Sequence, residues 1–207
     1  MSLPIVTISR EFGSHGHEIG EQVARQLGVE LYDRKIIMEA AEESGLSTEF
    51  IEKNEQKSQH RFFNCPPFGG CMIWEPSMLD RIYIAQHNVI TRLAEKGPCV
   101  FVGRAADFIL SERPDVMNVF VYAALECRIQ YAIRKHDLEP AKVKREIRMI
   151  DNQRAMYYNS ISSRTWGARE NYHLMIDSGV FNVDVCADII CRAAQNFIQS
   201  DKNAQNN

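Results

Sequence analysis

Ile5-Val6-Thr7-Ile8-Ser9-Arg10-Glu11-Phe12-Gly13-Ser14-His15-Gly16-His17-Glu18-Ile19-Gly20 is the stretch on which the fold turns. A β-branched run stops at a loop of small residues, and a helical pattern follows at once. Gly13 and Gly16 permit backbone angles and close approaches that side chains forbid. The helix start after them supplies free N–H groups and the positive end of a helix dipole, the parts of an anion-binding loop. The lysine and Ser/Thr of the full Gly-x-x-x-x-Gly-Lys-[Ser/Thr] motif are missing. A strand–glycine–helix unit also occurs without any phosphate, so the loop alone leaves both readings open.

Outward from this stretch the chain alternates strands and helices. Residues 3–9 read as a buried strand, and 17–28 as a helix with Ile19, Val23, Ala24 and Leu27 on one face and Gly28 at its end. Val29 to Tyr32 is extended. Asp33 stands at an N-cap position, and a helix continues towards Gly45. Ser47-Thr48-Glu49 opens a further short helix. Residues 56–75, with Pro66, Pro67, Gly69 and Gly70 among aromatics, read as a long loop, either a lid over a ligand or a segment packing its own rings. An amphipathic helix spans 77–96. Cys99–Val102 and Val116–Tyr122 are compact apolar strands. Helices follow at about 124–136 and 140–161, then a strand from Tyr172 to Ile176 and a helix from Asp184 to Gln199. The polar tail 200–207 reads as disordered. The pattern predicts an α/β chain with a parallel sheet covered on both faces.

The 207 residues suit one domain with a sizeable core. A net charge of −3 makes no general demand for nucleic acid or a membrane surface. No apolar run approaches the roughly 18 residues of a membrane span, and the N-terminus shows no signal-peptide pattern. The six cysteines form no Cys-x-x-Cys pair. Cys99, Cys127, Cys186 and Cys191 fall in apolar patterns, where a free thiol acts as a small hydrophobe. A cytoplasmic setting is the expectation. No ligand set completes a metal site at Cys65 and Cys71, or at His15 and His17.

Three further features carry chemistry. Val102-Gly103-Arg104 delivers an arginine to the end of a strand, the edge where open α/β sheets bind ligands; an ordinary surface arginine is the plainer reading. Tyr32-Asp33-Arg34 places a carboxylate beside an arginine. It can orient a substrate hydroxyl or a metal-bound water (Mg²⁺ at Asp33), or simply cap a helix. The stretch from Arg128 to Arg154 is rich in cations. In it Arg145, Arg148, Asp151 and Arg154 recur every three residues, as a solvated helix face or as a cationic lid over a polyphosphate.

Taken in order, these pieces resemble the cytidylate kinases, and more closely their cytidylate-kinase-like bacterial relatives, from about residue 5 to residue 178. Ile8 to Gly20 resembles the relatives' phosphate-binding loop, and Leu27 to Arg34 the Leu-Gly…Tyr-x-Asp segment. Val100 to Arg104 resembles the strand ending in Gly-Arg-Asp, and Val119 to Ala124 with Glu126 and Arg128 the strand and helix that open the lid. Asp151-x-x-Arg154 resembles the Asp-Ser-x-Arg lid signature, and Ile176-Asp177-Ser178 the closing strand.

The resemblance implies a three-layer P-loop nucleoside monophosphate kinase fold: a parallel five-stranded sheet flanked by helices, an NMP-binding region at about 33–97 and a lid at about 134–165. It implies transfer of the γ-phosphoryl group of ATP, with Mg²⁺, to a nucleoside monophosphate, CMP by default, or a similar small acceptor. Gly13, Ser14, His15, Gly16, His17 and Glu18 would form the nucleotide loop. Asp33, Arg34 and Arg104 would face the acceptor. Arg148 and Arg154 would close over the transferring group, with Asp151 orienting Arg154. The departures are specific. The lysine position falls on Gly16 and the Ser/Thr position near His17-Glu18. His15 stands where glycine is usual, and Ala105 replaces the Asp after Gly-Arg. The relatives also lack the lysine, so Arg10 or Arg104 is expected to supply its charge. A nucleotide-binding sensor without turnover is the alternative, and a nucleic-acid or protein partner on the basic stretch a third reading.

Overall fold

The computed structural model describes residues 3–42, 45, 78–136 and 138–204. In chain order these form β1 (Ile5–Arg10), α1 (Gly16–Leu27), β2 (Glu30–Tyr32), α2 (Arg34–Glu42), α3 (Met78–Ala94), β3 (Cys99–Val102) and α4 (Ala106–Ile109), followed by β4 (Val116–Tyr122), α5 (Leu125–His136), α6 (Val143–Ile161), β5 (Leu174–Asp177) and α7 (Val183–Ala204). A single 3-10 turn at Arg169–Asn171 precedes β5. The strands make one parallel sheet in the order β2-β3-β1-β4-β5. β1 is central, with Ile8 opposite Val102 on one side and Val119 on the other.

Side-chain alternation along β1 explains both faces of the sheet. Val6 and Ile8 pack with Ile19 and Val23 of α1 and with Cys186 and Ile190 of α7. Ile5 packs on the opposite face with Ile37 of α2, with Val89 and Ile90 of α3, and with Phe101. Each such fully buried aliphatic side chain contributes about 1.5–3 kcal/mol. Thr7 shares the face of Ile5, and its Oγ1 donates to Asn118 Oδ1 at 2.8 Å, which satisfies a buried hydroxyl inside the sheet. Arg10, the next even position after Ile8, emerges on the α1 side at the strand's C-terminal end.

A separate small core joins α5 and α6: Ala132, Val143 and Ile147, with Phe12 of the loop after β1 packed against them. Helices α5 and α6 are thus anchored on the loop itself.

Several boundaries differ from the sequence expectation. The last strand starts two residues later than Tyr172, because the 3-10 turn at Arg169–Asn171 occupies the approach. The short α4 was not anticipated; four residues are too few for a periodic signal. The last helix continues past Gln199 through Ala204, since neither glycine nor proline stops it there. Cys127 is exposed on the first turn of α5 rather than buried, while Cys99, Cys186 and Cys191 are buried free thiols. No described helix is long and apolar enough to cross a membrane. The expected helix at 47–49, the loop at 56–75, and Cys65 and Cys71 lie outside the described residues.

Candidate active site

The loop between β1 and α1 is shaped by its own backbone. Gly13 (φ 80°) and His15 (φ 59°) both take left-handed angles, and α1 begins at Gly16. Ser14 is fully buried; its Oγ donates to the carbonyls of Glu11 at 2.9 Å and Val121 at 3.1 Å. Its own carbonyl accepts from Ser178 Oγ at 2.7 Å, which ties the loop to the turn after β5. The Ser14 hydroxyl therefore holds the loop's shape, and the donors that could receive an anion are the backbone N–H groups at the helix N-terminus.

His15 does not project freely into the site. Its ring lies 3.9 Å from that of Tyr131 between centroids, and burial holds its pKa below the ordinary value, with Glu18 opposing. Glu18 accepts a hydrogen bond from Tyr131 Oη and lies 3.6 Å from Lys135 Nζ. Burial pushes the Glu18 carboxyl up, but the Tyr131 bond and its neighbours outweigh it and bring it below the usual range. His17 is half-exposed and pairs with Glu21 at 3.4 Å on the outside of α1. Thus, of the expected nucleotide-loop residues, Gly13, Ser14 and Gly16 form the loop and its helix start, His15 and Glu18 face α5, and His17 faces outward.

The arginines converge from separate elements. Arg10 ends β1, Arg34 begins α2, Arg104 follows β3 and Arg154 lies on α6. Burial first, then the fields of Arg154, Arg104 and Arg34, hold Arg10 well below its ordinary pKa, with Asp33 opposing. Burial likewise brings Arg154 down to about 10, with Asp151 opposing and Arg34 and Arg128 adding to the shift. Like charges gathered at the C-terminal edge of a parallel sheet favour an anion between them. Gly103, Arg104 and Ala105 follow one another at φ 82°, 59° and 52°. Such a left-handed run costs roughly 1–2 kcal/mol for each non-glycine residue, and strain of this kind gathers at ligand sites.

Asp151 bonds elsewhere than expected. Its carboxylate accepts from the backbone N–H of Phe12 at 2.7 Å and from Arg128 Nη1, which also donates to the Phe12 carbonyl at 3.2 Å. It acts on Arg154 through its field, while Arg154 Nη1 donates to the Arg10 carbonyl at 2.9 Å. Arg128 Nε stands 3.5 Å from Glu11 Oε2, and Glu11 in turn accepts from the Ala123 N–H at 3.1 Å. Arg148 is not brought to this cluster. Three-residue spacing drifts around a 3.6-residue turn, and Arg148 is exposed beside Lys144, Arg145 and Asn152 on the outer face of α6.

Other polar residues at the site carried no motif. Asp107 is buried and accepts from Tyr158 Oη at 2.8 Å and Ser9 Oγ at 3.4 Å. Burial raises its pKa, with those two bonds and its own amide opposing. Tyr157 Oη donates to Gln86 Oε1, linking α6 to α3, and its pKa is pushed up to about 12 by burial, against the field of Arg104. For Gln86 the available signal was a polar position on the apolar face of α3; for Asp107, on the four-residue α4, there was none.

A polyphosphate fits the glycine loop and the arginines around it. Magnesium finds less. Among the described residues no group of three His, Cys, Asp or Glu side chains could hold a metal ion, and Glu18, near the missing Ser/Thr position, is engaged with Tyr131 and Lys135. Asp33 is the acidic group at the arginine cluster.

The chain superposes on an uncharacterized protein from Eubacterium ventriosum ATCC 27560 with a TM-score of 0.70 at 23% identity, covering 93% of this chain and 98% of that one. It also superposes on shikimate kinase from Acinetobacter baumannii in complex with shikimate (TM-score 0.55, 17% identity, 97% and 95% coverage). A gluconokinase from Sinorhizobium meliloti 1021 matches similarly (0.54, 13%, 97% and 99%). At these identities the likeness establishes the fold, that of the P-loop kinases. No curated protein matches the sequence. The sequence profile of the cytidylate kinase-like family matches residues 5–180, and the chain belongs to that family.

Proposed function

We propose that the protein is an ATP-dependent phosphotransferase whose acceptor is a nucleoside monophosphate, with CMP the first candidate. The observation that carries this reading is the meeting of Arg10, Arg34, Arg104 and Arg154, opposed by Asp33, beside a glycine loop at a helix N-terminus. Beyond the cations that a phosphoryl donor takes up, Arg34 and Arg104 remain, and a pair of arginines suits an acceptor that itself bears a phosphate. ATP supplies the phosphoryl group: an acceptor oxygen bonds to the γ-phosphorus as its bond to the β,γ-bridging oxygen breaks, and ADP leaves with that electron pair. The loop amides at Gly13 to Gly16 bind the donor phosphates. Arg34 and Arg104 hold the acceptor, and Arg154 covers the charge that develops between the two. Asp33 orients an acceptor hydroxyl or the solvent shell of Mg²⁺. Asp151 and Arg128 fix the loop at Phe12. Arg148 reaches the site only if α6 closes further.

The test is transfer of label from γ-labelled ATP, with Mg²⁺, to CMP, other nucleoside monophosphates, shikimate and gluconate. Labelled nucleoside diphosphate supports the reading. Label on shikimate or gluconate alone would overturn the acceptor class. ATP binding without transfer to any acceptor would favour the sensor, a reading to which the engagement of Glu18 by Tyr131 lends weight.

A further inference from the structure

Gly16 and Gly103 are far apart in sequence and lie on different elements, one starting α1 and one following β3. Both are hollowed for the same side chain. A Cβ on Gly16 would come within 2.5 Å of Arg10 Cβ and 2.7 Å of Arg10 Cγ. A Cβ on Gly103 would come within 1.9 Å of Arg10 Nη1 and 2.8 Å of Arg10 Cζ. Arg10 thus runs its aliphatic stem past the first residue of the loop helix and lays its guanidinium on the end of β3. Gly16 is also where the motif lysine of a phosphate loop would stand.

From this we infer that Arg10 is the cation of this phosphate loop: its guanidinium, sent from the strand end through the notches at Gly16 and Gly103, takes the place and the task of the absent lysine on the β- and γ-phosphates. The two arrangements are mutually exclusive, because a side chain at position 16 and the Arg10 stem need the same volume. Arg104, whose field falls on Tyr157 of α6 as well as on Arg10, stands beside this cation rather than in its channel. The charge on Arg10 is held among Arg34, Arg104 and Arg154, with Asp33 as the opposing carboxylate. An incoming polyphosphate relieves that repulsion, and the fork geometry of a guanidinium can grip two phosphate oxygens where a lysine would meet them as a point charge. No proton moves through Arg10; it neutralises oxygen charge while the phosphoryl bond changes partner.

This inference rests on the loop being an ATP site, so its test is read on ATP affinity as well as on transfer. Titration calorimetry with ATP compares the wild type with Arg10→Gln, Arg10→Lys, Gly16→Lys and the double variant Arg10→Gly/Gly16→Lys, each checked for its thermal transition. Arg10→Gln is expected to weaken ATP by about ten- to a hundredfold, with Arg10→Lys retaining part of the loss. Gly16→Lys alone is expected to lose affinity, because its Cβ meets the Arg10 stem. The double variant, in which glycine at position 10 removes both the Cβ and the Cγ that a side chain at position 16 would strike and a lysine stands in the motif position, is expected to bind better than either single variant. Arg10→Gln binding ATP like the wild type would overturn the inference, as would a double variant no better than both singles. A wild type that binds ATP without transferring it would refute the phosphotransferase reading and leave the Arg10 comparison decisive.

Discussion

Arg128 and Asp151 are ion-paired, and between them they hold both backbone polar groups of Phe12. The loop between β1 and α1, on which the proposed phosphate site depends, is thus braced from α5 and α6 at once. Removing the carboxylate leaves a mostly buried guanidinium whose Nε already lacks a hydrogen-bond partner. Asp151→Ala is expected to destabilise the chain by about 3 kcal/mol and Asp151→Asn by less, since Asn can still accept from the Phe12 N–H. Urea denaturation checks this; equal, negligible losses in both variants would mean the brace bears no strain.

Replacing Gly103 separates backbone strain from collision. Gly28 (φ 67°) and Gly103 (φ 82°) share the left-handed conformation, but a Cβ on Gly28 meets nothing within 4 Å, whereas one on Gly103 strikes Arg10. Gly28→Ala should cost about 1–2 kcal/mol from strain alone. Gly103→Ala should cost more and also impair ATP binding. Equal stability losses with normal ATP binding in Gly103→Ala would contradict the placement of Arg10.

Asp107 gives the stability a pH signature. Its pKa is raised in the folded state, chiefly by burial. The folded chain therefore holds the proton to higher pH than the unfolded chain does. Stability then falls as pH climbs from the ordinary carboxylate range through the raised value, and the cost is fully present above it. Asp107→Asn, which can still accept from Tyr158, should gain stability relative to wild type at pH 8 and lose that advantage near pH 4. Denaturation curves at both values check the sign; a constant difference would place the effect elsewhere.

Anions should stabilise the protein by filling the arginine cluster. Pyrophosphate at about a hundred times its dissociation constant adds about 2.7 kcal/mol, or roughly 5–10 °C in Tm for a chain of this size. The gain should shrink in Arg10→Gln and Arg154→Gln and remain in Arg148→Gln, whose side chain lies on the outer face of α6. Scanning calorimetry reads all four proteins, and an equal shift in every variant would place the anion elsewhere.

The sheet was legible because apolar runs such as Cys99–Val102 and Val116–Tyr122 end at clear turn signals. The loop was legible because Gly13 and Gly16 sit between a strand and a helix. What the sequence did not reveal was partnership. Arg145, Arg148, Asp151 and Arg154 look alike at three-residue spacing, yet only the last two face the loop, since that spacing walks round the helix. Asp151 met Arg128 rather than Arg154 because α5 returns beside the loop, a long-range contact that no local pattern records. Asp107 and Tyr158 met through the fold alone. The significance of Gly16 and Gly103 likewise appears only where one arginine crosses both.

In the mechanism proposed above, the Gly13–Gly16 loop binds the triphosphate with Arg10 as its cation. A crystal structure with a non-hydrolysable ATP analogue measures this directly. The β- and γ-phosphates are expected on the backbone N–H groups at the start of α1, with the Arg10 guanidinium within hydrogen-bond distance of their oxygens. Phosphates bound away from that loop, or bound there with Arg10 turned away and another cation in its place, would contradict it.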